Sequence, residues 1–122
     1  MIGVIGGSGL YSLEGLQILE SKEVYTPFGA PSAPLVRGKF GATEVVFLPR
    51  HGQHHTITPS EINYRANIWA LKSVGVTQIL SVSAVGSLSK DIPPGDLAMP
   101  DQYFDFTKGK RAASFFGDGV VG

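Results

Sequence analysis

The most constraining feature of the sequence is a strand, a helix and a second strand that follow one another between residues 44 and 83. The apolar run Glu44–Leu48 predicts a buried strand, and its continuous apolar character predicts a central place in a sheet. Ile79–Ser83 predicts the second strand. Because two strands joined by a helical crossover run parallel, the chain is predicted to have an α/β fold.

The helix between these strands has sequence signals at both ends. Thr58-Pro59-Ser60-Glu61 matches a capping box with proline at the first helical position. Gly75 is suited to end the helix in the left-handed conformation. Apolar residues at helical spacing predict its buried face: Ile62, Ala66, Trp69 and Ala70.

Short strands joined by tight turns are predicted for the rest of the chain. Ile2–Ile5 predicts a buried first strand, Leu35–Phe40 a strand that pairs with Glu44–Leu48, and Leu97–Phe104 a last strand. The 16 glycines and 8 prolines are spread along the chain as turn residues. Turns are predicted at three places: Thr26–Pro31, Gly41 and Pro93–Asp96.

Composition excludes several kinds of function. The formal net charge is zero, with 10 basic and 10 acidic residues, so no long-range field attracts nucleic acid or an anionic membrane. The absence of cysteine excludes disulfide frameworks, thiolate metal sites and cysteine nucleophiles. No segment reaches the roughly 20 apolar residues that cross a bilayer, and the N-terminus lacks the basic region of a signal peptide. We therefore expect a cytoplasmic protein with no nucleic-acid or membrane partner.

Three of the predicted strands run into loops that are rich in small residues or in hydrogen-bond donors. These loops are Gly6–Gly9, Arg50–His55 and Ser83–Gly86. In open α/β sheets, ligands bind beyond the carboxyl ends of the strands. The three loops therefore converge on one site if the three strands are parallel neighbours.

The donors in these loops suit a phosphate or sulfate ion. The glycines of the first loop allow backbone N–H groups to form a nest, to which Ser8 adds a hydroxyl. Arg50 supplies a planar fork that binds phosphate through two hydrogen bonds, and His51 adds a donor beside it. The predicted anion site comprises the backbone of Gly6, Gly7 and Gly9 together with Ser8, Arg50, His51, Ser83 and Ala84.

Other chemistries fit these residues less well. The three histidines of the second loop lack the spacing of helical metal ligands and have no carboxylate among them, so no metal site is predicted. The loops also lack the carboxylate pair that glycoside hydrolysis requires. Gly7–Ser12 departs from a dinucleotide-binding fingerprint because Ser12 stands at its third glycine. A nucleotide-cofactor domain remains an alternative hypothesis.

At these residues the sequence resembles the methylthioadenosine phosphorylases of the purine nucleoside phosphorylase family. The motifs that carry the resemblance occur in order along nearly the whole chain: Ile5–Leu10, Thr26–Gly29, Arg50–Gly52, His55-Thr56, Asn63–Lys72, Ser83–Leu88 and Pro94–Asp96. The resemblance implies a three-layer α/β/α fold with a mixed central sheet. It also implies that residues 1–122 are the N-terminal portion of a single phosphorylase domain, which is incomplete here.

The activity implied by the resemblance is phosphorolysis, in which inorganic phosphate attacks the anomeric carbon of a purine nucleoside. The substrate implied is 5'-methylthioadenosine or methylthioinosine, and the products are a free purine and 5-methylthioribose 1-phosphate. Gly29–Leu35 favours the methylthioinosine type slightly, and 6-oxopurine nucleosides remain an alternative. The resemblance implies no metal or organic cofactor, since phosphate is a substrate.

The resemblance assigns phosphate binding to Ser8, Arg50, His51, Ser83 and Ala84, and it places His55 near the sugar. It implies a homotrimer or a hexamer. Members of the family are longer than this chain, and their second half carries the residue that recognises the purine. We therefore expect the chain to be inactive without a C-terminal half. A non-catalytic phosphate-binding fragment is the remaining alternative.

Overall fold

Six elements of secondary structure form the fold. The structure is a computed structural model that describes residues 1–7, 9, 14–107, 109, 111–112 and 114–117. Its elements are β1 (Ile2–Gly6), β2 (Leu16–Lys22), β3 (Leu35–Phe40), β4 (Thr43–Pro49), α1 (Tyr64–Ser73) and β5 (Gln78–Ser81). Within the described part of the chain, no helix has the length and apolar character needed to cross a membrane.

The five strands form one mixed sheet in the order β2-β3-β4-β1-β5. Strand β1 is parallel to both of its neighbours, β4 and β5, whereas β3 is antiparallel to β2 and to β4. The predicted crossover between β4 and β5 therefore passes over β1, which lies between them. The mixed α/β sheet and the central place of β4 are confirmed.

Strand β4 is buried on both faces of the sheet because its successive apolar side chains point to opposite sides. One face packs against α1 in a cluster that contains Ile5, Leu35, Val46, Leu48, Ala70 and Leu71. The opposite face carries a second cluster of Val4, Val36, Val45 and Phe47. In the residues that the structure describes, α1 is the one α-helix, so a single helical layer of the implied three-layer fold is present.

Helix α1 begins later than the capping box predicts. Its N-cap is Asn63, whose Oδ1 accepts a hydrogen bond from the N–H of Ala66 at 3.1 Å. Thr58 donates its N–H and its hydroxyl to the carboxylate of Glu61, at 3.0 and 2.6 Å, but within a turn that precedes the helix. The predicted start was wrong because asparagine is an equally good cap and stands closer to the packed part of the helix. The predicted end is confirmed, since Gly75 has φ 90°.

The buried face of α1 is polar at one position. Ala66 and Ala70 are buried as predicted, but Trp69 is only half-buried, and Asn67 and Leu71 take its place in the core. The Oδ1 of Asn67 accepts from the N–H of Ser32 at 2.8 Å, and its Nδ2 donates to the Ser32 hydroxyl at 2.9 Å. A fully bonded amide can replace an apolar side chain in a core, which residue-type periodicity does not reveal.

The structure contains one strand that was not predicted and lacks one predicted strand in its described residues. Strand β2 was not predicted, because its pattern is mostly exposed and depends on antiparallel pairing with β3. Leu97–Phe104 forms no strand, since none of its residues pairs with another strand in the described sheet. The three predicted turns are confirmed, with left-handed glycines at Gly29, Gly41 and Gly95.

Candidate anion-binding site

The carboxyl ends of three parallel strands meet at one edge of the sheet. Strands β4, β1 and β5 lie side by side, as the convergence of their loops requires. Two backbone hydrogen bonds extend this pairing beyond the strands. The N–H of Arg50 donates to the carbonyl of Gly6 at 2.9 Å, and the N–H of Val82 donates to the carbonyl of Ile5 at 2.8 Å. The three loops that follow β1, β4 and β5 therefore begin next to one another at this edge of the sheet.

The first loop is described at Gly6, Gly7 and Gly9, whereas Ser8 lies outside the described residues. None of these three glycines has a positive φ. A Cβ built on Gly7 or Gly9 would meet no atom within 4 Å. The surroundings of these two glycines are therefore open, and the backbone nest predicted for this loop stays a prediction.

Arg50 connects the second loop to the third. It follows β4 directly and is half-buried, and its Nη1 donates to the carbonyl of Val82 at 3.4 Å. Its Nε donates to Nε2 of His51 at 3.3 Å. Among the residues that the structure describes, the salt bridges belong to Arg37, so Arg50 has no carboxylate partner there. An arginine whose charge is uncompensated at the end of parallel strands is suited to bind an anion.

The hydrogen bonds of His51 define its tautomer. Arginine has only donors, so the contact with Arg50 requires Nε2 of His51 to be the acceptor and to carry no proton. The other ring nitrogen, Nδ1, therefore carries the proton and donates it to the carbonyl of Ile57 at 2.9 Å. Both ring nitrogens of His51 are engaged in this arrangement. In the structure His51 thus supports Arg50, and its predicted role as a second phosphate ligand stays a prediction.

The second loop is closed upon itself by His51 and Ile57. The N–H of Ile57 donates to the carbonyl of His51 at 3.1 Å, alongside the side-chain bond between the same two residues. One turn precedes this closure, in which the N–H of Gly52 donates to the carbonyl of Pro49, and one lies inside it, in which the N–H of His55 donates to the carbonyl of Gly52. Gly52 has φ 79°, a backbone conformation that favours glycine, whereas a Cβ there would make ordinary contact with Ile57 at 3.4 Å.

His55 lies on the same side of the loop as His51. Its φ is 55°, and its ring stacks on the His51 ring with centroids 5.7 Å apart and planes 20° apart. The third histidine of the loop, His54, is exposed. Within the described ranges, no group of three His, Cys, Asp or Glu side chains is arranged to hold a metal ion.

Ser83 and Ala84 follow β5, which ends at Ser81, earlier than predicted. Both residues are exposed. Val82, which precedes them, is bonded to Ile5 and to Arg50, so the third loop begins beside the guanidinium. The sequence did not indicate Val82 or Ile57, because both act through backbone carbonyls that every residue type possesses.

The protein has an α/β fold, and this edge of its sheet combines glycines, an arginine held by two hydrogen bonds and exposed small residues. Such a combination is suited to bind an anion. Comparison with known proteins agrees with this class, because the Phosphorylase superfamily matches residues 1–121 of the sequence. The chain belongs to the Phosphorylase superfamily. The methylthioadenosine phosphorylase resemblance found in the sequence is confirmed by individual relatives.

One such relative is the S-methyl-5'-thioadenosine phosphorylase of Geobacter sulfurreducens, which is 57% identical over 121 residues, or 99% of this chain and 42% of the relative. A methylthioadenosine phosphorylase from an Antarctic soil metagenomic library has a similar crystal structure, with a TM-score of 0.89 and 52% identity over 97% of this chain and 41% of that one. The Schistosoma mansoni enzyme in complex with adenine has a TM-score of 0.85 and 47% identity, over 97% of this chain and 42% of that one. The chain therefore spans about two fifths of the length of these relatives.

Proposed function

We propose that this chain is the phosphate-binding, N-terminal portion of a single-domain purine nucleoside phosphorylase. The substrate is 5'-methylthioadenosine or methylthioinosine, and the reaction with inorganic phosphate belongs to purine and methylthio-nucleoside salvage. The names of the relatives support this proposal, since they are methylthioadenosine phosphorylases at 57 and 52% identity. The single observation that carries it is Arg50, whose guanidinium is held between the second and third loops and has no carboxylate partner among the described residues.

In this proposal, one oxygen of phosphate forms a bond to the anomeric carbon of the nucleoside while the bond from that carbon to the purine nitrogen breaks. The purine leaves with the bonding electrons and takes up a proton. Because the transition state resembles an oxocarbenium ion, catalysis depends on holding phosphate against the sugar and on stabilising the charge that develops on the purine. Within the described part of the chain, the contacts of the Arg50 guanidinium use Nε and one Nη1 hydrogen, which leaves Nη2 and the second Nη1 hydrogen for the phosphate.

The other predicted ligands complete the phosphate site. Ser8 and the backbone of Gly6, Gly7 and Gly9 belong to the first loop, and Ser83 and Ala84 belong to the third. His51 is predicted to bind phosphate beside Arg50, which it also supports, and His55 is predicted to lie near the sugar. No metal or organic cofactor is needed for this chemistry, because phosphate is itself the nucleophile.

Activity requires more than the residues present here. The relatives extend well beyond the region matched, and the resemblance assigns purine recognition to their second half. We therefore propose that the active protein has the length of its relatives, that it is a homotrimer or a hexamer, and that it works in the cytoplasm. The 122-residue chain alone is expected to be inactive.

The experiment that tests this function measures base release by the protein of relatives' length. Methylthioadenosine, methylthioinosine and inosine are supplied separately, with and without inorganic phosphate. Release that depends on phosphate and is fastest with a methylthio-nucleoside is the expected result. Fastest release from inosine would favour a 6-oxopurine nucleoside phosphorylase, and release without phosphate would contradict phosphorolysis.

Arg50 provides the first testable prediction. Arg50→Ala should raise the KM for phosphate about tenfold or more, because a hydrogen bond to a charged group contributes roughly 1.5–3 kcal/mol. Arg50→Lys keeps the charge but loses the planar fork, so it should restore only part of the loss. Lys90→Ala, which removes an exposed positive charge from the loop after β5, is the matched control and should change nothing. An unchanged phosphate KM in Arg50→Ala would remove Arg50 from the site.

A further inference from the structure

His55 has a backbone conformation that few residues of its kind adopt. Its φ of 55° is in the left-handed region, and in the described part of the chain it is the one non-glycine residue with a positive φ. Asparagine, aspartate and histidine enter this region more readily than other side chains. Residues held in such conformations are concentrated at functional sites, where the surrounding structure maintains them.

The left-handed turn at His55 brings its ring onto the face of His51. The two rings are close to parallel, at 20°, with centroids 5.7 Å apart, which is within the range of stacked aromatic pairs. The ring of His51 is tied to Ile57 through Nδ1 alone. Arg50 holds the ring at Nε2 as well, but hydrogen bonds at ring nitrogens act in the plane of the ring and oppose a pivot out of that plane only weakly. The His55 ring, stacked on one side of the His51 ring, opposes such a pivot.

The orientation of the His51 ring matters because of the atom on its far side. Nε2 accepts from Nε of Arg50 at 3.3 Å, while Nη1 of the same guanidinium donates to the Val82 carbonyl at 3.4 Å. Together with the covalent attachment of the guanidinium to the arginine side chain, these two hydrogen bonds fix the plane of the guanidinium. If His51 pivots, Nε2 leaves Arg50 and the guanidinium keeps one support.

We infer that His55 is a positioning residue, which orients the phosphate-binding guanidinium of Arg50 by holding the ring of His51 with Nε2 toward it. The inference rests on the proposed function, in which Arg50 binds phosphate. In this role His55 affects phosphate binding through its contact with His51, and it does not need to contact the sugar.

The test uses His55→Asn, which removes the ring while retaining a residue that tolerates the left-handed backbone. In the protein of relatives' length, the KM for phosphate should rise about 3- to 10-fold, the range that an aromatic pair of ordinary strength covers. The KM for the nucleoside should stay unchanged. His54→Asn is the matched control, since it changes an adjacent, exposed histidine in the same loop.

A second measurement does not depend on activity. In nitrogen-15 NMR spectra of the histidine side chains, His51 should show the tautomer protonated on Nδ1 in the unmodified protein and in His54→Asn. In His55→Asn Nδ1 should stay protonated, because its bond to the Ile57 carbonyl is retained, whereas the Nε2 signal should shift toward that of a ring nitrogen that has lost its hydrogen bond from Arg50. This readout remains informative even if the proposed reaction is wrong, which base release without phosphate would reveal separately.

Two results would overturn the inference. The first is a His51 spectrum and a phosphate KM that are the same in His55→Asn as in His54→Asn. The second is a rise in the nucleoside KM alone, which would assign His55 to the sugar.

Discussion

Residues 1–81 and residues 82–107 contain similar kinds of apolar side chain, but among the described residues only the first region buries them. Every buried residue of the described chain lies at or before Val76. In the second region, Leu88, Leu97 and Met99 are at least 90% exposed. Leu48, in contrast, is 1% exposed between β1, β3 and α1.

The difference between the two regions is a difference in partners. Each strand of the first region except the edge strands β2 and β5 is paired on both sides, and α1 covers one face of the sheet. The second region contributes turns such as Pro93–Asp96 but no strand or helix in its described residues. Apolar residues contribute stability only where another element removes them from water, so residue type alone does not separate the two regions.

The largest expected effect comes from truncating a leucine in each region. Leu48→Ala should lower the free energy of unfolding by about 2–5 kcal/mol, because it loses buried surface and leaves a cavity. Leu97→Ala should change it by no more than about 0.5 kcal/mol, since the side chain is fully exposed. Urea denaturation measures both, provided that the denaturant slope is the same for each variant.

The same two variants also test whether the second region is packed in this chain or only in the protein of relatives' length. Equal losses in this chain would mean that the second region packs as well as the first. If Leu97→Ala becomes costly only in the protein of relatives' length, the additional residues cover this region. If Leu97→Ala changes the free energy of unfolding in neither protein, Leu97 is exposed in both.

The packed region was also the more predictable one. Strands β1, β3 and β4 and the end of α1 follow from local signals: continuous apolar runs, turn glycines and the left-handed Gly75. The sequence could not show β2, whose exposed residues are ordered by pairing with β3, or the lack of a partner for Leu97–Phe104. In both cases the deciding factor is another segment, which local periodicity does not report.

The sequence predicted which residues and loops form the candidate site, but it did not predict the hydrogen bonds that join them. Arg50 and the three loops were indicated by residue type and by their position after predicted strands. The tautomer of His51 and the roles of the Val82 and Ile57 carbonyls depend on backbone geometry that no residue type signals. The left-handed conformation of His55 is equally invisible in the sequence, although histidine is among the residues that tolerate it.

A smaller effect is expected from adding one methyl group to a glycine in each region. In β1, a Cβ on Gly3 would lie 2.8 Å from Cγ1 of Val76 and 3.3 Å from Cδ2 of Leu71. Gly3→Ala should therefore cost about 1–3 kcal/mol through overpacking. Gly86→Ala, whose Cβ would meet no atom within 4 Å, should be neutral or stabilise the chain by up to about 1 kcal/mol. Thermal unfolding of both variants tests this, and a loss in Gly86→Ala as large as in Gly3→Ala would contradict the open environment of the second region.

The smallest expected effect on stability concerns the ion pair between Arg37 of β3 and Glu44 of β4. Arg37 donates to the carboxylate of Glu44 at 2.6 Å, and this hydrogen bond, together with the charge of Arg37, lowers the pKa of Glu44 from its ordinary value of 4.5. The folded state therefore binds fewer protons at Glu44 than the unfolded state does. The stabilisation it contributes is complete above pH 4.5 and is lost as the pH falls through the lowered pKa.

Glu44→Gln should therefore flatten the fall in stability with acid below pH 4.5, and it should do so slightly, because both side chains are about two fifths exposed and water screens the pair. Glu23→Gln is the matched control, since Glu23 has no salt-bridge partner among the described residues. Urea midpoints measured at several pH values between neutral and acid compare the two variants. If Glu44→Gln and Glu23→Gln change the acid dependence equally, the bond to Arg37 does not favour the charged carboxylate, and the pairing of β3 with β4 gains no stability from it.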